Sequence, residues 1–268
     1  MSVNIKIKGN QGTNEYKDAI VLKEIFENEF RNKPINGEVL IISNATLFGQ
    51  DTKDVDLIVI GKFEKYSIKV KTKAKLSDKE LEQAERLLFI NDFCFVIETK
   101  GHPAENIQLD GLILKVKYNE KYHDVTTQSE NQKFALKKYF EDRLNFSPYI
   151  CNFIWLRNVS SNSIKELLGN NPDIFDKHNY LPSTFSLRWL FQLACIQKTP
   201  RSQIDTKTQE PKGYCVFESL WYKQEYDFSE IDRIFDLFAK VKQGMGDLTR
   251  RKIEHITRDI LKDQKYAQ

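Results

Sequence analysis

The sequence contains no long apolar run. Its two longest, 93–97 and 190–196, fall well short of the roughly 20 residues that a membrane-spanning helix needs. Cysteine is scarce, at four residues, and no two form a CxxC pair. Histidine is equally scarce, also four, and none lies at metal-ligand spacing from a cysteine. Together these counts argue against a zinc site or a disulfide framework and predict buried free thiols. No GxxxxGK[ST] or GxGxxG loop is present, which removes the common nucleotide-binding loops. The first eight residues alternate charged and apolar side chains instead of building a signal-peptide core. Charge of one sign is lacking too: 41 Lys and Arg against 38 Asp and Glu leave a formal +3, so local distribution decides more than the total. These absences predict a soluble, intracellular, cytoplasmic protein.

What is present is enough apolar material for a core, 40% of 268 residues, spread along the whole chain. Residues 15–30 carry Ala19, Ile20, Leu22, Ile25, Phe26 and Phe30 at helical spacing after a loop rich in Gly and Asn. Short runs of β character follow at 39–42, 55–60 (closed by Gly61) and 66–71. Ser77-Asp-Lys-Glu80 reads as a capping box opening a helix that runs to about Ile90. The compact run 93–97 reads as a strand covered on both faces. Further strands are expected at 112–118 and 149–156, and helices at 129–144, 163–168, 186–196, 229–242 and 247–262. The polar, Pro- and Gly-containing stretch 198–213 suits a linker. The fold class predicted is α/β with a mixed central sheet, followed by a helical C-terminal appendage.

Three features concentrate the chemistry. Asp56 interrupts an apolar strand, where aspartate is disfavoured and needs a reason. Glu98 and Lys100 end the buried run two residues apart, so they share a strand face. Gln132 lies near the start of the following helix and Glu15 near the start of the first. Carboxylates from different strands hold a hard divalent cation through oxygen, which suits Mg²⁺ or Mn²⁺. A lysine beside them stabilises charge developing on a phosphate. Each residue also has a plainer reading: a solvated strand-edge aspartate, a surface ion pair, a polar helix face shared by Gln128 and Gln132, a first-turn acid favoured by the helix dipole.

The ordered series Glu15, Val55-Asp-Leu-Ile-Val-Ile60, Val96-Ile-Glu-Thr-Lys100 and Gln132 resembles the nuclease-related domain (NERD) branch of the PD-(D/E)xK nuclease superfamily. The resemblance spans about residues 10 to 196, within a domain placed at 1–197, with a linker at 198–213 and a helical region at 214–268. It implies a restriction-endonuclease-like core and cleavage of DNA, or of RNA, dependent on Mg²⁺ or Mn²⁺. Asp56, Glu98 and Thr99 would be metal ligands, Lys100 the catalytic lysine, and Gln132 and Glu15 supporting residues. It also implies an effector of prokaryotic defence, licensed by a protein partner such as a guide-bearing Argonaute. The chain departs from the family pattern in one respect. About 40 residues separate Asp56 from Glu98, and the span 62–79 holds seven lysines and two acids. This predicts either an inserted strand and helix around 62–90, or a different first aspartate: Asp54, Asp92 or Asp110.

Within the insert, Lys69, Lys71, Lys73 and Lys75 alternate along one strand face. They read equally as contacts to nucleic-acid phosphates and as protection of an edge strand. His102 and His123 flank the site loop and read as solvated loop histidines. A different class of function suits the same residues: a non-catalytic module that binds nucleic acid or docks a partner on a degenerate nuclease fold.

Overall fold

The computed structural model describes residues 3–52, 54–75, 81–169, 179–198 and 228–240. Its centre is a mixed six-stranded sheet of β1 (Val3–Lys8), β2 (Asn36–Thr46), β3 (Asp54–Glu64), β6 (Asp92–Pro103), β10 (Ile150–Asn158) and β11 (Tyr180–Leu181), in that spatial order. β2–β3 and β3–β6 pair antiparallel; β1–β2, β6–β10 and β10–β11 pair parallel. The chain is therefore α/β with a mixed central sheet flanked by helices.

Alternation along the strands builds two separate cores. Val39 and Ile41, Leu57 and Val59, and Phe93, Phe95 and Ile97 face helix α1 (Asn14–Phe30) and helix α4 (Leu187–Lys198). Leu40 and Ile42, Ile58 and Ile60, and Cys94 and Val96 face helix α2 (Val125–Leu144) and helix α5 (Ser229–Lys240). With helices on both faces, β3, β6 and β10 are buried nearly throughout, which is why they read as unbroken apolar runs. The α1 side is dominated by rings, with Phe26, Phe63, Phe93, Phe95 and Phe191 in mutual contact. Gly61 makes room for one of them: it pairs with Phe93, and a Cβ there would fall 2.2 Å from the ring Cζ.

Caps fix the helices that matter for the site. The Thr13 hydroxyl accepts from Tyr16 N at 3.2 Å and opens α1; the Asp124 carboxylate accepts from Thr127 N at 2.8 Å and opens α2. Between β6 and α2 lies a three-stranded meander of β7 (Ile107–Asp110), β8 (Ile113–Tyr118) and β9 (Lys121–Asp124), reached through a 3-10 turn, Ala104–Asn106. Its Ile107, Leu114 and Val116 pack on Ile154 and Leu156 of β10 and on Ile164 of helix α3 (Ser161–Leu167).

The insert between β3 and β6 is a two-stranded antiparallel hairpin, β4 (Ser67–Lys75) with β5 (Leu81–Phe89). This corrects the helix expected from the capping box to Ile90. Pairing of nine consecutive residues with β4 satisfies the backbone of 81–89, and a local helix preference of a few tenths of a kcal/mol per residue does not compete with that. The capping box itself lies outside the described residues. So do residues 199–213 of the linker and the whole of the helix 247–262. The helix that is described beyond the linker, α5, does not stand apart. Ile231, Ile234 and Phe238 are buried in the α2-side core, and Lys62 pairs with Asp232. Lys8 Nζ donates to the carbonyls of Phe238 at 2.6 Å and Ala239 at 3.1 Å, capping the end of α5 from β1. Cys94 and Cys151 are buried free thiols, whereas Cys195 is disulfide-bonded, against the expectation of free thiols throughout. Sequence spacing does not show which cysteines the fold brings together. Among the described residues no helix is long and apolar enough to cross a membrane.

Candidate active site

The β3–β6 ladder ends at the pair Leu57–Ile97, and the next step places Asp56 across from Glu98. The inserted hairpin leaves the main sheet after β3 and returns at β6, so the long sequence separation disappears in space. Just past the end of the ladder, Oδ2 of Asp56 takes the N–H that β6 leaves over: Thr99 N donates to it at 2.8 Å, and the Thr99 hydroxyl lies 3.2 Å away. An aspartate here thus finishes a strand pairing, which explains how a residue poorly suited to strands is accommodated.

Glu98 has no exposed surface. Its two oxygens are each matched: Lys100 Nζ donates to Oε1 and Gln132 Nε2 to Oε2. A buried carboxylate needs such partners, because desolvation of an unpaired charge costs several kcal/mol. Lys100 also donates to Gln128 Oε1 at 3.3 Å. Both glutamines of the polar α2 face therefore point at the Glu98–Lys100 pair. The roll of α2 is set between them, where Asn152 Nδ2 on β10 donates to the Ser129 hydroxyl at 3.1 Å in a buried contact. Gln132 is itself 1% exposed, and its Oε1 has no hydrogen-bond partner.

Asp56 stands half-buried opposite this group. Burial first, and then the charge of Glu98, push its carboxyl up to about 7 against the pull of the Thr99 N–H and of Lys100. A second acid approaches from α1. Asp18 is buried, forms an ion pair with Arg157 Nε at 2.7 Å, and shares Thr99 with Asp56 as a hydrogen-bond partner. The Thr99 hydroxyl has one proton and serves one of the two carboxylates at a time. Burial raises the Asp18 carboxyl as well, opposed mainly by Arg157. The Arg157 guanidinium lies over Trp155, 4.2 Å from the ring centre.

The structure therefore brings Asp56, Glu98, Thr99, Lys100 and Gln132 together. Glu15 makes no hydrogen bond or ion pair with them among the described residues; Asp18, one turn further along α1, makes the contact instead. Position i+3 from Glu15 was the one sequence signal for Asp18. Nothing in the sequence signalled Arg157 or Asn152. Of the reserve aspartates, Asp92 begins β6 six residues before Glu98, roughly 20 Å away along the strand. Asp110 pairs with Lys115 at an exposed turn, where that ammonium holds its carboxyl below the usual range. Asp54 is exposed and sits 3.4 Å from the Thr46 hydroxyl. Lys69, Lys71, Lys73 and Lys75 occupy alternate positions of β4, with Lys69 exposed, in a hairpin that leaves the main sheet.

Among the described residues no three Asp, Glu, His or Cys side chains converge on one point. Asp56 and Glu98 stand across from each other on neighbouring strands, and beside Glu98 lies a buried amide oxygen, Gln132 Oε1, with no hydrogen-bond partner. Every one of these ligand atoms is oxygen, which fits a hard divalent cation and does not fit a thiolate or imidazole metal. A cation at this point would also relieve the repulsion that lifts the Asp56 carboxyl. Comparison of the chain with protein-family models, with curated proteins and with solved structures gives no match.

Proposed function

We propose that the chain is a nuclease dependent on Mg²⁺ or Mn²⁺, hydrolysing phosphodiester bonds of DNA on a restriction-endonuclease-like core of the NERD kind. One observation carries the reading. Asp56 and Glu98 face each other on neighbouring antiparallel strands, with Lys100 and the unsatisfied Gln132 amide beside them. Asp56 and Glu98 would hold the cation, supplemented by Gln132 Oε1 and by Thr99. The chemistry such a cation supplies is a lowered pKa for a coordinated water and neutralisation of phosphate charge.

The protein's own groups do the rest. Glu98 fixes Lys100, whose side chain is 15% exposed and whose ammonium is the group that can meet a phosphate oxygen or the attacking water. Gln128 and Glu98 share its donors and limit its wandering, and Gln132 orients Glu98. Asp18 and Arg157 hold Thr99, and through it Asp56, from the other side of the sheet. RNA as substrate, and licensing by a guide-bearing partner in prokaryotic defence, extend the same reading.

The test is cleavage of circular single- and double-stranded DNA with Mg²⁺, with Mn²⁺ and with EDTA, alongside Lys100→Ala. Cutting that needs metal and disappears in the variant supports the proposal; circular substrates make any cut an internal one. A second reading is favoured by one fact: both oxygens of Glu98 are already taken by protein donors. A non-catalytic binding module would then keep salt-sensitive DNA binding, indifferent to metal, and show no cutting.

A further inference from the structure

Next to the Glu98–Lys100 group stands a column of rings that the hydrolytic chemistry does not use. His102 stacks on Tyr118, with ring centres 5.8 Å apart and planes 18° from parallel. Tyr118 stacks in turn on His123 at 3.5 Å and 11°. These histidines are therefore not the solvated loop residues that their sequence positions suggest. Tyr118 continues the inward row of Leu114 and Val116 along β8, but past the end of the buried stripe, so its ring is 38% exposed. Lys121, its cross-strand partner on β9, is exposed.

One end of the column lies on a strand that carries the site and the other lies just before a helix that does. His102 is two residues beyond Lys100, roughly 7 Å along the strand. Between them β6 bulges against β10: Lys100 pairs with Leu156 and Pro103 with Asn158, three steps on one strand against two on the other. Asn158 Nδ2 holds the bulge by donating to the Gly101 carbonyl at 2.6 Å. A bulge re-aims the side chains around it, and here the re-aimed ring is the one that meets Tyr118. His123 immediately precedes Asp124, the cap of the helix that brings Gln128 and Gln132 to Lys100 and Glu98.

We propose that the His102–Tyr118–His123 column is a base-stacking platform that receives a nucleotide flanking the scissile phosphate, and that the substrate it selects is single-stranded DNA. This inference rests on the nuclease reading for its position in a reaction, though not for the binding itself. The outer ring face at an end of this partly exposed column is a flat π-face that a base can extend, and Lys100, two residues before His102, and the exposed Lys121 supply positive charge for the adjoining phosphates. A base inside a duplex is already stacked on both faces and is not available to the column.

The experiment is fluorescence anisotropy in EDTA, where nothing is cut, with three probes: labelled oligo(dT) of about 15 nucleotides, the same chain without bases, and a duplex of equal length. The expected result is that Tyr118→Ala weakens oligo(dT) binding about tenfold, that Tyr118→Phe restores it, and that binding of the abasic chain is unchanged. His102→Ala is the second variant, at one end of the stack, and is expected to weaken oligo(dT) binding in the same selective way. Equal loss for the base-bearing and abasic chains, no loss in either variant, or a wild-type preference for duplex would each overturn the proposal. Its failure is distinguishable from failure of the nuclease reading. Metal-dependent cutting indifferent to Tyr118 would sink only the platform, whereas Tyr118-dependent binding without cutting would sink only the nuclease.

Discussion

Glu98 and Asp56 face each other across neighbouring strands, yet their surroundings differ. Glu98 is matched on both oxygens by Lys100 and Gln132. Asp56 has the Thr99 donors on one oxygen and a like charge across from it, and its carboxyl is pushed up to about 7. The sign of the consequence follows by linkage. In the metal-free folded protein Asp56 keeps its proton over a window, from the ordinary carboxylate range near 4 to about 7, in which the unfolded chain has lost it. Its contribution to stability is therefore present at low pH and is lost as pH rises through that window. Thermal melts in EDTA between pH 5 and pH 8 are expected to show this fall in wild type and not in Asp56→Asn. Added Mg²⁺ is expected to raise the midpoint more at pH 8 than at pH 6, since at the lower pH the cation must displace a proton. At this scale the sequence was informative where spacing alone sets geometry. Residues 98 and 100 share a face because strands have period two, and Gln132 follows Gln128 by one helical turn. Arg157 and Asn152 were not legible, because each acts through a partner on another element and no local pattern records a contact of that kind; Asp18 was marked only by its place three residues after Glu15.

Elements are positioned by a few close fits. Gly61 lets the Phe93 ring lie against β3, with no space for a Cβ. Gly61→Ala is expected to destabilise the protein by about 1–3 kcal/mol, read as a lower urea midpoint with an unchanged slope. Helix α5 is tied down by Ile234, which is fully buried, and by the Lys8 cap on its last carbonyls. Ile234→Ala is expected to cost about 2–5 kcal/mol in the same denaturation experiment. A helix that merely trailed from the domain would show no such loss. Most strands and helices of the main sheet were readable because their burial pattern is written into apolar alternation or into runs covered on both faces. β5 was not: 81–89 has acceptable helical spacing, and only pairing with β4 selects the strand. β1 was not read as a strand although residues 3–8 alternate apolar and polar side chains, because its parallel partner lies some 30 residues further along the chain and no local turn marks the pairing.

For the molecule as a whole, strand order accounts for the site. A mixed sheet with β3 and β6 antiparallel and β6 and β10 parallel gathers the ends of three strands and the start of α2 at one spot. The hairpin β4–β5 can lengthen the chain between Asp56 and Glu98 without moving either, since it leaves and rejoins the sheet at neighbouring strands. Phe63 N donates to the Asn91 carbonyl at 2.6 Å and Ile90 N to the Tyr66 carbonyl at 2.9 Å, closing its base. The proposed function has this spot hydrolysing phosphodiesters through a cation held by Asp56 and Glu98. The most direct measurement is the rate at which Glu98→Gln nicks circular DNA in Mg²⁺, relative to wild type, with both proteins shown to be folded by circular dichroism. The substitution keeps the shape of the side chain and removes the ligand charge. Wild type is expected to cut and the variant to lose at least about 100-fold; an inert wild type, or a variant that cuts as fast, would overturn the proposed function.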